Sequence, residues 1–309
     1  MSLEDELDMY LAQRRALGFQ LKPVETLLRQ FCRWLTQRSK TESFTVDDAV
    51  EWATERPDAA PIWWSGRLAA LRPFAKWLDA RGKDVAPIPA GLLPGGTTRR
   101  TPFIYTQDDL DHLLEACPEV FSGARVAETM RTIIALLAAT GMRIGEALNL
   151  TIPDFDSDAH TITVRASKTP LDRIIPVDPS VADAVSAYLA LPERTATGPS
   201  PTGPVFVNNR GTAFVTATIE QHFRKLCNHT GVGTAGGPTP RLHDLRHTFA
   251  TRHMIAAYRC GDPAQTMNLL TTWLGHTSTQ HTYWYIQAVP ELLSAAATRL
   301  EPTPEGRFS

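Results

Sequence analysis

Leu242-His243-Asp244-Leu245-Arg246-His247, followed downstream by Leu274-Gly275-His276 and Thr282-Tyr283-Trp284-Tyr285, concentrates the chemistry of this chain in its last quarter. If a helix starts at His243, then His243, Arg246 and His247 fall at i, i+3 and i+4 and share one face near its N-terminus. The free N–H groups of such a terminus attract phosphate. Upstream, Ala139-Thr140-Gly141-Met142-Arg143-Ile144-Gly145-Glu146-Ala147-Leu148 adds a second arginine. Two guanidiniums can grip a phosphodiester bidentately, imidazoles can donate hydrogen bonds or move protons, and a phenol can attack phosphorus. A metal ligand is not required by this set.

The ordered series of Arg143, His243-x-x-Arg246, His276 and a tyrosine resembles the tyrosine recombinase (phage integrase) family of site-specific DNA recombinases, over roughly residues 103 to 309. A lone His-x-x-Arg would carry almost no information; four motifs in the right order do. The resemblance implies a mainly α fold with a small β-sheet. An N-terminal four-helix core-binding domain would precede an α+β catalytic domain of the tyrosine recombinase type.

It also implies roles. Arg143 would bind the scissile phosphate with Glu146 orienting it, His243 and Arg246 would be catalytic with His247 supporting them, and His276 would donate a hydrogen bond to the phosphate. Lys168, near the tip of a β-hairpin, matches the family's general acid to the 5′-hydroxyl leaving group. Family spacing puts the nucleophile nine residues beyond His276, at Tyr285, with Tyr283 the runner-up. Taken alone, both tyrosines more often read as core packing beside Trp284 and Lys168 as a solvated turn lysine, and Arg143–Glu146 has a competing reading as a surface pair of little energetic weight.

A chain of 309 residues with 43% hydrophobic content is long enough for two cores. The division read from the sequence is 1–84, an N-terminal helical DNA-binding domain; 85–102, a linker rich in Pro and Gly; and 103–309, the catalytic domain. A formal charge of −2 lacks the basic balance of many nucleic-acid binders, so any DNA surface must be a local concentration of Arg and Lys. Cys32, Cys117, Cys227 and Cys260 form no C-x-x-C pair and read as reduced thiols. The N-terminus is acidic and precedes no apolar h-region, and no run approaches the roughly 18 apolar residues of a membrane span, so a cytoplasmic protein is expected.

Four helices are expected before the linker. Leu3–Leu17 stops at Gly18; a second starts with Pro23 at N1 and runs to about Arg38. The third is capped by Thr45 with Asp48, and the fourth runs from about Ile62 to Arg81, with Pro73 as a possible kink. The fourth carries Arg67, Arg72 and Lys76 beside Trp63, Trp64, Phe74 and Trp77. It reads either as a helix whose basic residues touch DNA phosphates, which the resemblance favours, or as an ordinary amphipathic helix. Arg99 and Arg100, in the linker, could follow a DNA backbone.

In the second half, Thr106 to Asp109 opens a helix and Met130–Thr140 is an apolar helix ended by Gly141. His160–Arg165 and Arg173–Val177 alternate with period two as a hairpin. Leu191–Pro204 reads as a flexible loop, Thr216–Thr230 as a helix, and Leu269–Leu274 as a helical stretch closed by Gly275. A last helix, about Pro290–Leu300, could pack on its own domain or dock on a neighbouring subunit.

His243 and His247 have the spacing of helical zinc ligands, but the glutamate of His-Glu-x-x-His is missing, so no metal and no cofactor is assigned. The activity that the resemblance implies is cleavage and rejoining of DNA through a 3′-phosphotyrosyl intermediate, for integration, excision or transposition of a DNA element. The partners would be double-stranded recombination sites, with a homotetramer on two of them. Two alternatives stand beside it: a type IB topoisomerase-like relaxing enzyme, and a catalytically inactive DNA-binding accessory protein.

Overall fold

The computed structural model describes residues 2–19, 21–95, 100–165, 172–234, 236–275, 292 and 294. It divides into two compact units, Met1–Arg99 and Arg100–Ser309.

Among the described residues the first unit holds four helices, α1 (Leu3–Ala16), α2 (Lys22–Thr36), α3 (Val46–Thr54) and α4 (Pro61–Ala80). Their starts follow local chemistry. Ser2 and Asp5 close a capping box on α1, Thr45 and Asp48 close another on α3, and proline opens α2 and α4. Gly18, at φ +85°, turns the chain out of α1. Pro73 lies within α4 without ending it. The core joins Leu7, Leu11, Phe31, Leu35, Trp52, Leu68 and Phe74. Val85 and Ile88 are buried in the same core, so the packed unit takes in the start of the stretch read as linker.

The second unit begins with α5 (Gln107–Glu115), capped by Thr106 and Asp109, then the short α6 (Cys117–Val120) and α7 (Ala124–Thr140). A short α8 (Ile144–Leu148) leads to a three-stranded antiparallel sheet in the order β1 (Phe155–Asp156), β2 (Thr161–Val164), β3 (Arg173–Pro176). In the expected hairpin, Thr161 faces Pro176 and Val164 faces Arg173; β1 is too short to show a period in the sequence.

Next come α9 (Pro179–Ala190), α10 (Pro192–Thr195), α11 (Thr216–Thr230), α12 (Leu242–Cys260) and α13 (Pro263–Trp273). The stretch read as a flexible loop after Leu191 is instead pinned. Arg194 is 2% exposed and donates to the Val205 and Pro204 carbonyls at 3.0 and 2.9 Å. Lys168, His276, Tyr283 and Tyr285 lie outside the described residues, as does most of the last expected helix; Leu292 is fully buried with Phe249, Met254 and Leu274.

α7 supplies the centre of the main core, with Met130, Ile133, Ile134 and Leu137 buried, and α12 packs along it. The ends of α7 and α13 are set by glycines at φ +63°, Gly141 and Gly275, a region that other residues enter only with strain. At Gly141 a Cβ would also lie 2.6 Å from the Phe249 ring. Gly141→Ala is therefore expected to destabilise the protein by more than the ~1–2 kcal/mol of the left-handed backbone alone, read as a lower urea midpoint.

Candidate functional site

Arg143 stands at the N-cap of α8, two residues past the Gly141 turn. Its backbone N–H donates to Glu146 Oε2 at 2.9 Å and its Nη1 to Glu146 Oε1 at 2.9 Å. The anticipated pair thus exists, but it is not a surface pair. The Glu146 side chain is 10% exposed, whereas 42% of the Arg143 side chain remains open to solvent.

A third group completes this cluster. Arg173, at the start of β3, donates through Nη2 to Glu146 Oε2 at 2.7 Å and through Nε to the Trp273 carbonyl at 2.9 Å. Burial alone would raise the Glu146 pKa, but the hydrogen bond from Arg173, then those from Arg143, hold it below the ordinary carboxylate value. Sequence reading took Arg173 only as a strand residue. The available signal was its register: it shares a face with buried Ile175, while Ile174 points outward at 68% exposure.

α12 presents the other groups. Its first turn is fixed by Asp244, fully buried, which accepts from the Arg241 N–H at 3.0 Å, Nε at 3.1 Å and Nη2 at 2.7 Å. Tyr105 adds a second tether: its hydroxyl donates to the Arg241 carbonyl and its N–H to Thr248 Oγ1, both at 3.0 Å. One helical turn in, Arg246 is 1% exposed and donates to the Gly141 carbonyl at 2.9 Å and the Leu274 carbonyl at 2.6 Å. It therefore clamps the turn before Arg143 to the turn that leads to His276. Trp273 repeats the link, its Nε1 donating to the Thr140 carbonyl at 2.8 Å.

His243 is an exposed residue near the start of α12, yet its imidazole is partly desolvated and faces the positive charges of Arg246, Arg143 and Arg241. Desolvation first, and then Arg246, lower its pKa, so the ring is neutral at neutral pH. His247 packs edge-on against it, with ring centroids 5.1 Å apart and planes at 87°.

Arg143, Arg246 and His243 are thus brought together at the N-terminal ends of two helices, α8 and α12. The basic residues of α4 belong to the first unit and fare differently. Arg67 is 7% exposed and stacks 3.7 Å from the Trp52 ring centroid and 4.4 Å from that of Trp63. The expectation that Arg67 touches a phosphate meets a guanidinium that the indole faces hold inside the unit. Arg72 is half-buried, its Nε donating to the Pro89 carbonyl at 3.2 Å, and Lys76 is exposed.

Two guanidiniums and a neutral imidazole converging at helix ends are the equipment of a phosphoryl-transfer protein. Residues 104–291 match the phage integrase family. Over 304 residues the chain is 32% identical to a putative integrase/recombinase, y4rB, of Sinorhizobium fredii (strain NBRC 101917 / NGR234), covering 96% of each. It is 31% identical over 238 residues to tyrosine recombinase XerC of Brucella suis biovar 1 (strain 1330), covering 75% of this chain and 70% of that one. A solved structure of the Tn1549 transposon integrase in complex with transposon right end DNA shares the fold, with TM-score 0.68 and 20% identity over 98% of this chain and 100% of that one. The chain belongs to the phage integrase family, and it is a tyrosine recombinase, an enzyme that cuts and rejoins DNA.

The Glu146 cluster has a pH signature. A carboxyl whose folded pKa is depressed contributes stability that is present above its ordinary pKa of 4.5 and lost as pH falls through the folded value. Glu146→Gln is expected to cost on the order of 1–2 kcal/mol at neutral pH. The gap to wild type should close as wild-type Glu146 protonates below pH 4.5. Urea unfolding at both pH values checks this; a gap that stays constant would place the stabilisation elsewhere.

Proposed function

We propose that Arg143, Lys168, His243, Arg246, His276 and Tyr285 are the catalytic set of a site-specific recombinase that moves or resolves a DNA element. The observation that carries this reading is the convergence of Arg143, Arg246 and His243 in a chain whose family is established.

A phenol with a pKa near 10 is a weak nucleophile at neutral pH. In the proposed step Tyr285 gives its proton to neutral His243 while its oxygen attacks the scissile phosphorus. Arg143, the more open of the two arginines, takes the non-bridging oxygens, and Arg246 and His276 complete the charge compensation around the pentavalent transition state. The P–O5′ bond breaks as Lys168 delivers a proton to the leaving oxygen. The products are a 3′-phosphotyrosyl link and a free 5′-hydroxyl; attack by a 5′-hydroxyl from another duplex reverses the step. Bond energy is conserved in the covalent link, and the scheme consumes neither ATP nor metal.

The partner in this scheme is double-stranded DNA carrying recombination sites, and exchange of two strands and then two more calls for a homotetramer on two such sites. Solved relatives are described as bound to their DNA, one of them as a dimer on a core site. Cytoplasmic action on DNA fits this reading. Within the first unit, exposed Lys76 and half-buried Arg72 are the residues of α4 proposed to touch phosphates. Lys76→Ala should weaken DNA binding about equally for all sequences and reduce the slope of log affinity against log salt by about 1.

The decisive test is a suicide substrate from the element's own flanks, incubated with wild type, Tyr285→Phe and Tyr283→Phe, with covalent adducts scored on a denaturing gel. The expected result is an adduct lost only in Tyr285→Phe; loss only in Tyr283→Phe would move the nucleophile, and no adduct with wild type would overturn the catalytic reading. Because the His243 pKa is lowered, the deprotonated base persists below its ordinary pKa of 6.5. The acid limb of the cleavage rate should therefore lie below that value and disappear in His243→Ala.

A further inference from the structure

Arg173 lies where three segments of the second unit meet. It opens β3, the strand that returns from the segment containing Lys168; it bonds the Glu146 carboxylate that cradles Arg143; and it bonds the Trp273 carbonyl three residues before His276. Only 17% of its side chain is exposed, so the guanidinium is committed to these contacts rather than displayed to a ligand.

The charge arithmetic around Glu146 gives this commitment a consequence. Glu146 is a single, largely buried negative charge with two guanidinium partners, both at hydrogen-bond distance. Were Arg143 the sole partner, the carboxylate would neutralise it, and its positive charge would be largely spent before a phosphate arrived. With Arg173 present the three groups carry a net charge of +1. Arg173 is the more deeply buried of the two arginines, so its ion pair with Glu146 is the less screened one. The surplus charge is left on Arg143, whose side chain remains 42% open. A Cβ on Gly275 would lie 3.0 Å from Arg173 Nη1, so the guanidinium sits in tight contact with this turn.

We infer that Arg173 is a positioning residue of the strand-transfer site. It neutralises Glu146 so that Arg143 keeps its charge for the scissile phosphate, and it ties β3 to the end of α13. The inference rests on the reading of Arg143 as a phosphate-binding residue.

The experiment compares single-turnover adduct formation by the full chain on the suicide substrate for wild type, Arg173→Gln, Arg173→Lys, Glu146→Gln and the double variant Arg173→Gln/Glu146→Gln. DNA binding is followed in parallel by gel shift. Arg173→Gln is expected to slow cleavage by about 10- to 100-fold, the scale known for partners that orient the ligands of metal sites, with DNA affinity within about threefold of wild type. Arg173→Lys should recover part of the rate.

The double variant separates charge from architecture. Removing the Glu146 charge releases Arg143, so the double variant should cleave faster than Arg173→Gln alone; a merely structural loss would instead add to the first. Wild-type adduct with Arg173→Gln cleaving at the wild-type rate, or a double variant slower than Arg173→Gln, would overturn this role while leaving the proposed function intact. A wild type that forms no adduct would overturn the proposed function, and this role with it.

Discussion

The buried guanidinium of Arg246 is the contact on which the catalytic unit turns. A charge at 1% exposure costs several kcal/mol unless its donors are matched. Two of the matching groups are backbone carbonyls, Gly141 O and Leu274 O, from chain segments far apart in sequence. Each lies at a left-handed glycine turn, and one of these turns directly precedes Arg143. Holding one charge in the interior therefore fixes the approach of α7 and α13 to α12, and with it the placement of the more open arginine. The Trp273 to Thr140 bond secures the same pair of helix ends a second time.

In a chain with a formal charge of −2, the charge that DNA can meet depends on where each cation sits. Much of its arginine is spent inside. Arg67 lies between indole rings, Arg194 holds two carbonyls, Arg125 donates to the Val207 carbonyl at 2.7 Å, and Arg173 is held by Glu146 and the Trp273 carbonyl. Counting Arg and Lys along the sequence thus overstates the charge available to a phosphate backbone, while net charge understates its local concentration. What matters is which guanidiniums have found internal acceptors. Arg143, half open above a carboxylate shared with Arg173, is the clearest case of charge kept available.

The helix starts were legible because they are local. Capping boxes at Thr45 and Thr106, and the proline opening α2, act over three or four residues and give the same answer in any tertiary context. Gly141 and Gly231 end their helices as their φ freedom suggests. The motif arginines and His243 were legible by type and order. Less visible were contacts that join distant residues. The pinned loop at Arg194 and the inward turn of Arg67 look, in sequence, like ordinary polar positions. Nor does the composition of the stretch after Asp84 show that Val85 and Ile88 join a core, since Pro and Gly around them suggest an open linker.

By itself, then, the sequence determined the four-helix start, the hairpin, the helix bearing His243 and Arg246, and the reaction class that their order with Arg143 resembles. These depend on hydrogen bonds and periodicities spanning a few residues. Only the tertiary structure decided which arginines are structural, that Glu146 is shared, and that Arg173 belongs to the site. The reason is physical: a guanidinium's role depends on the acceptors that folding brings within 3 Å of it, and here those come from about 30 to 100 residues away.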